Sequence, residues 1–96
     1  MEQSVVIKTI HENLGIQRIK NIVLFGSYAK GIASKNSDID LYVETENEDF
    51  LAMCGWGYEL REKLGRNVDL LLNEFMDIDD YIYNAIQSEG VTIYER

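Results

Sequence analysis

Between Phe25 and Val43 the chain reads FGSYAKGIASKNSDIDLYV, and no other stretch constrains the fold so tightly. An apolar run, Ile22-Val23-Leu24-Phe25, closes on Gly26-Ser27. A polar loop passes through Gly31, and Ser37-Asp38-Ile39-Asp40-Leu41 enters a second apolar run. Alternate residues of a strand face opposite sides, so Asp38 and Asp40 share one face while Ile39 and Leu41 take the other. A glycine-serine turn opening a helix offers unpaired backbone N–H groups and a hydroxyl, a seat for phosphate. Phosphate seat and carboxylate pair together describe a metal-dependent nucleotide site.

The elements on either side follow from periodicity. Val6, Ile7, Ile10 and Leu14 recur at helical spacing, with Ser4 placed to cap the helix and Gly15 to stop it. A short polar connector leads to the first strand, and the second covers Ile39 to Val43. From about Glu48 to Leu64 the pattern is helical again, with Phe50, Met53, Leu60 and Leu64 on one side. Gly55 and Gly57 flank Trp56 inside it, each costing about 1 kcal/mol against alanine, so a close contact or a break is expected there. Val68 to Leu72 is a third strand. Asp77 to Asp80 opens a last helix with Ile82, Ala85 and Ile86 inward and Gly90 at its end, and Val91 to Tyr94 is a final strand. Helices and strands alternating in this order predict an α/β sheet packed by helices.

With 96 residues the chain is expected to form a single domain, 1–96. Acidic residues outnumber basic ones 17 to 9, for a net charge of −8, which argues against direct binding to a nucleic-acid backbone. The lone Cys54 excludes an internal disulfide and a cysteine-based zinc site. No apolar run approaches the ~20 residues of a membrane span and the N-terminus lacks a signal-peptide pattern, so a soluble, cytoplasmic protein is expected.

Asp69 interrupts the apolar run Val68-Asp69-Leu70-Leu71-Leu72, where a charge is costly unless paired or bound to metal. Neighbouring strands lie about 4.8 Å apart, so Asp69 can complete a cluster with Asp38 and Asp40. Bonding to backbone or to Arg66 is the structural alternative. Three acids on one cleft suit Mg²⁺, which shares its coordination sphere with substrate phosphates. Two such ions about 3.5–4 Å apart would polarise the attacking and leaving oxygens of an in-line phosphoryl displacement. Gly26 and Ser27 would hold the outer phosphates, and Gly31 would free the loop for a positive φ. Lys30 and Lys35 are either phosphate contacts or solvated loop lysines. His11 reads as surface, Cys54 and Trp56 as packing, and Asp77 and Asp79 as a solvated helix start. The tyrosines read as amphipathic cover, Tyr28 alone being near enough to approach a base or ribose.

At these residues the chain resembles the minimal nucleotidyltransferases (MNT), small members of the DNA polymerase β superfamily. The likeness stands on Gly26-Ser27, Gly31, Ser37-Asp38-Ile39-Asp40-Leu41 and Asp69, with a tail Ile86-Gln87-Ser88-Glu89-Gly90 and Tyr94 similar to the family's I-x-x-E-G…Y ending. Lys30 departs from it, since arginine is commoner there and bidentate phosphate binding is lost. The resemblance implies a mixed β-sheet flanked by helices, with two Mg²⁺ held by Asp38 and Asp40. Asp69 would ligate one metal and help deprotonate the acceptor hydroxyl. It implies transfer of a nucleoside monophosphate from an NTP, with ATP the expected substrate. Chains of this size resemble the antitoxin half of a HEPN–MNT toxin–antitoxin pair, in which the enzyme adenylylates a tyrosine of its HEPN ribonuclease partner. A non-catalytic antitoxin acting by masking, or a nucleotidyltransferase acting on a small molecule, are the alternatives.

Overall fold

The computed structural model describes residues 1–15 and 18–96; the polar connector expected after Gly15 includes residues 16 and 17, which lie outside the described residues. Among the described residues four helices and four strands alternate, starting with α1 (Gln3–Glu12), β1 (Ile19–Phe25), α2 (Gly26–Lys30) and β2 (Ile39–Thr45). They continue with α3 (Phe50–Leu64), β3 (Val68–Leu72), α4 (Asp80–Glu89) and β4 (Val91–Glu95). The sheet order is β3-β2-β1-β4. β1 runs antiparallel to both β2 and β4, while β2 and β3 are parallel. The sheet is therefore mixed, and α3 supplies the crossover that a parallel pair requires.

Strand alternation divides the apolar residues between two layers. Ile22, Leu24, Ile39, Leu41, Val43 and Val68 join Val6 and Ile10 of α1 and Met53, Trp56 and Leu60 of α3 in the larger core. Val23 and Tyr42 face the other way, onto Ile86 of α4. Asp40 lies between Ile39 and Leu41 and so projects on the α4 side, with Tyr42.

Several boundaries depart from the periodicity, each for a local reason. Ser4 lies inside α1, whose N-cap is Glu2 without a side-chain bond. Gln3 instead ties α1 to α2, its Nε2 donating to Tyr28 O at 2.9 Å and Ala29 O at 3.3 Å. The helix ends before Gly15, because Asn13 turns back and donates from Nδ2 to Thr9 O at 2.8 Å. α4 begins at Asp80 rather than Asp77, since Asp79 accepts a hydrogen bond from Ile82 N at 2.8 Å and caps it. Phe50 is not inward; it is 44% exposed and meets the Phe75 ring edge-on at 5.2 Å between centroids.

The paired glycines of α3 do not break it. A Cβ on Gly57 would lie 2.8 Å from Leu70 Cδ1, so this glycine is what lets α3 settle on β3. Trp56 between them is buried and donates from Nε1 to Asn13 O at 2.6 Å, tying α3 to the end of α1. Gly55 meets nothing within 4 Å and has no positive φ. Gly55→Ala should therefore raise stability by about 0.5–1 kcal/mol, the helix-propensity difference, in a urea unfolding experiment. No stabilisation would mean that α3 is not a continuous helix through this segment.

Candidate active site

The site is built on one row of the sheet. Phe25 is paired with Asp40 across β1 and β2, and Asp40 with Asp69 across β2 and β3. Adjacent strands are about 4.8 Å apart, so three consecutive strands place the end of β1, Asp40 and Asp69 in a line. Gly26 follows Phe25 and starts α2 with φ +74°. A Cβ at Gly26 would strike the Asp40 carboxylate. The glycine is required on two counts, since the left-handed conformation disfavours a side chain and the carboxylate occupies its space. The turn and Asp40, fourteen residues apart in sequence, are thus in direct contact.

Electrostatics mark Asp40 as the centre of the group. Burial, then the negative charges of Asp69 and Asp38, push its carboxyl up to about 6. None of the three aspartates is in an ion pair among the described residues. Asp38 stands exposed just ahead of β2. Asp69 is exposed too, so the expected cost of burying a charge in β3 is not incurred: β3 is an edge strand. Its Oδ1 accepts from Asn67 Nδ2 at 3.3 Å, and Arg66 instead donates to Gly65 O at 3.1 Å.

A cavity of about 600 Å³ adjoins the acids. Asp40 and Asp69 line it, whereas Asp38 does not. Asp69 and Leu71 from one face of β3 and Leu70 and Leu72 from the other all border it, so it bends around the strand's open edge. α3 closes it with Phe50, Cys54, Gly57 and Arg61. The Arg61 guanidinium is fixed by hydrogen bonds from Nε at 3.3 Å and Nη2 at 3.0 Å to Val68 O. Cys54 is exposed and lines this cavity, and so is not a packing residue. The lining from α3 had no chemical motif to announce it; the glycine at 57 was its sole trace in the sequence.

The remaining expected site residues divide along α2. Ser27 sits in its first turn beside Gly26, where backbone N–H groups lack intrahelical partners. Lys30 and Gly31 are at the other end. Lys30 Nζ pairs with Glu89 Oε2 at 3.2 Å, and Gly31 ends the helix with φ +74° as the loop required. The I-x-x-E-G tail finds its structural use here: Ile86 is buried, Glu89 meets Lys30, and a Cβ on Gly90 would strike Val23 and the Ile86 carbonyl. Tyr28 is 2% exposed and packed in the core with its hydroxyl enclosed, so it does not approach a base. His11 and Lys35 are exposed.

These donors suit a hard divalent cation: burial and the neighbouring Asp69 and Asp38 charges raise the proton affinity of Asp40, and among the described residues no lysine or arginine is paired to the three. Among the described residues no three acidic, histidine or cysteine side chains already stand as a ligand set. The three-carboxylate cage expected from sequence is therefore not preformed, Asp38 being outside the cavity that Asp40 and Asp69 share.

A candidate protein adenylyltransferase of Methanocaldococcus jannaschii is 36% identical over 76 residues, covering 78% of this chain and 80% of that one. The protein adenylyltransferase MntA of Shewanella oneidensis is 33% identical over 72 residues, 74% of this chain and 50% of that one. A solved toxin–antitoxin complex with AMP-PNP contains a chain that superposes with a TM-score of 0.75 at 26% identity, covering all of this chain and 75% of its own length. The family model for polymerase β nucleotidyltransferases matches residues 6–96. That match spans nearly the whole chain, and this chain belongs to the polymerase β nucleotidyltransferase family.

Proposed function

We propose that this nucleotidyltransferase moves AMP from ATP to a tyrosine hydroxyl of a HEPN toxin and so acts as its antitoxin. The observation that carries the reading is the contact between the Gly26 turn and Asp40, with Asp69 next in register. Protein adenylyltransferase relatives and the toxin–antitoxin complex with AMP-PNP support the reaction and the partner.

In this account Gly26 and Ser27 bind the outer phosphates through the free N–H groups of α2. Lys30, half-exposed on Glu89, exchanges that carboxylate for phosphate oxygens, and Gly31 closes the short helix that carries both. Asp38, Asp40 and Asp69 would hold Mg²⁺, which would supply positive charge to offset that on the phosphates during the displacement. Asp40 and Asp69, paired in register and lining one cavity, support this reading. Asp69 orients the acceptor hydroxyl and takes its proton. The acceptor oxygen then bonds to the α-phosphorus as the bond to pyrophosphate breaks.

The test is incubation with α-labelled ATP, Mg²⁺ and a HEPN toxin. Label should appear on the toxin and fall about 10²–10⁴-fold with Asp69→Asn, the range for loss of a general base. Neutralisation of the toxin by Asp38→Asn as effectively as by the parent chain would favour masking over chemistry.

A further inference from the structure

We infer that Glu74 is a positioning residue for the transfer: its carboxylate pins the loop ahead of α3 and so fixes the helix wall that stands opposite Asp69. That role rests on the transfer reaction proposed above and adds to it a residue outside the row of Gly26, Asp40 and Asp69. Residues 46–49 join β2 to α3, and among the described residues Asn47 is the one non-glycine with a positive φ, +58°. A left-handed residue in a turn aims successive N–H groups to one side and makes a nest for an anion. Here the chain supplies the anion. Glu74 Oε2 accepts from Asn47 N at 2.9 Å and Oε1 accepts from Glu48 N at 3.3 Å, so both carboxylate oxygens are engaged. On one side Asn73 Oδ1 accepts from Thr45 N at 2.9 Å, and on the other the Phe75 ring meets Phe50 edge-on. Asn73, Glu74 and Phe75, in succession past β3, thus hold the segment that enters α3.

α3 is therefore fixed over the β3 edge at both ends. Arg61, in its last turn, is bonded to Val68 O at the start of β3, and the Glu74 clip holds the loop that leads into its first turn. Phe50, Cys54 and Arg61 of this helix line the same cavity as Asp69. An acceptor hydroxyl has to come within hydrogen-bond reach of Asp69 to lose its proton there, so the placing of that wall governs how the acceptor binds. Asp40 and Asp69 themselves are placed by strand pairing and do not depend on the clip. Loosening it weakens acceptor binding and leaves the chemical step alone, which raises KM and spares kcat. The loop is not released outright, because Arg18 Nη1 holds Asn47 O at 2.6 Å and Asp49 still accepts from Leu51 N at 3.1 Å. Variants at Glu74 should accordingly fold.

The test pairs transfer kinetics, with ATP, Mg²⁺ and a HEPN toxin as acceptor, with amide hydrogen exchange on the same full-length chains. Glu74→Ala should raise KM for the toxin about tenfold, and Glu74→Gln, which keeps one acceptor oxygen, about threefold, with kcat and KM for ATP within about twofold of the parent. Asp77→Ala removes an exposed carboxylate from the same loop and should leave KM for the toxin unchanged. In Glu74→Ala the Met53 and Cys54 amides of α3 should exchange about tenfold faster, and those of β1 and β2 as slowly as in the parent. A parental KM for the toxin in Glu74→Ala overturns the assignment, as does an equal rise in Asp77→Ala. A fall in kcat as large as the rise in KM, or faster exchange throughout the sheet, overturns it too, since Glu74 would then be supporting the fold as a whole. Absence of transfer by the parent chain is a different failure: it sinks the reaction, and the positioning role with it, even where the α3 amides respond as described.

Discussion

Asp40→Asn is expected to reduce nucleotidyl transfer by about 10²–10³-fold while making the free protein more stable. The loss of activity follows from removing a charge aimed at the reacting phosphate, where single electrostatic groups are commonly worth ~10²–10³. The gain in stability follows from the pH behaviour of the carboxyl. Its pKa rises from 3.8 to about 6 through burial and the neighbouring Asp69 and Asp38 charges. Between those values the folded state binds more protons than the unfolded one, so stability is greatest below about pH 4 and is lost as pH rises through 6. At ~1.4 kcal/mol per unit the shift has an upper bound of ~3 kcal/mol, reduced to about 1 kcal/mol because the group is only partly buried and solvent screens it. At pH 7.5 in EDTA, thermal melts should place Asp40→Asn about 4–8 °C above the parent. At pH 3.5 the two should coincide. A destabilised variant at pH 7.5 would mean that Asp40 is a structural hydrogen-bonding group and not a carboxylate awaiting a cation.

Gly26→Ala should have the next largest effect. A side chain at φ +74° costs about 1–2 kcal/mol for the backbone alone, and here the added carbon also strikes the Asp40 carboxylate. The carboxylate must rotate away or the turn must shift, and a displacement of ~1 Å in a reacting group costs about 10² in rate. Gly65 provides the control, with φ +65° and nothing within 4 Å of an added Cβ. Gly65→Ala should pay the same backbone penalty in a denaturant titration yet transfer nucleotide at the parent rate. Equal activity losses in the two variants would show that only global stability is being measured.

The sheet and its helices were legible because each strand is a short apolar run and each helix has a periodic face. Ile22 to Phe25, Ile39 to Val43 and Val68 to Leu72 all lie within strands, and Gly31 ends α2 in the left-handed conformation expected of it. The D-x-D motif pointed to Asp38 and Asp40 because they stand at the head of an apolar strand, and Asp40 does lie against the Gly26 turn. What sequence could not give was register. Only pairing across three strands shows that Phe25, Asp40 and Asp69 share a row, and it arises from contacts distant in the chain. The same limit hid the reason for Gly26, which turns on where the Asp40 carboxylate points, and the partner of Lys30, which comes from the last helix. Asp69 was read as costly inside a buried strand, because an edge strand and a central one look alike when their apolar runs match. Gly55 and Gly57 are indistinguishable in sequence, yet one meets open space and the other Leu70.

The most direct test is the titration of Asp40 itself, followed by its carboxyl ¹³C resonance in protein labelled at aspartate. In the free chain the resonance should titrate near pH 6. With saturating magnesium and AMP-PNP the bound cation favours the ionised form, and the midpoint should fall below about 4, under the unperturbed aspartate value. A midpoint that stays near 6 with nucleotide and magnesium bound would contradict the assignment of this row as the metal and phosphate site.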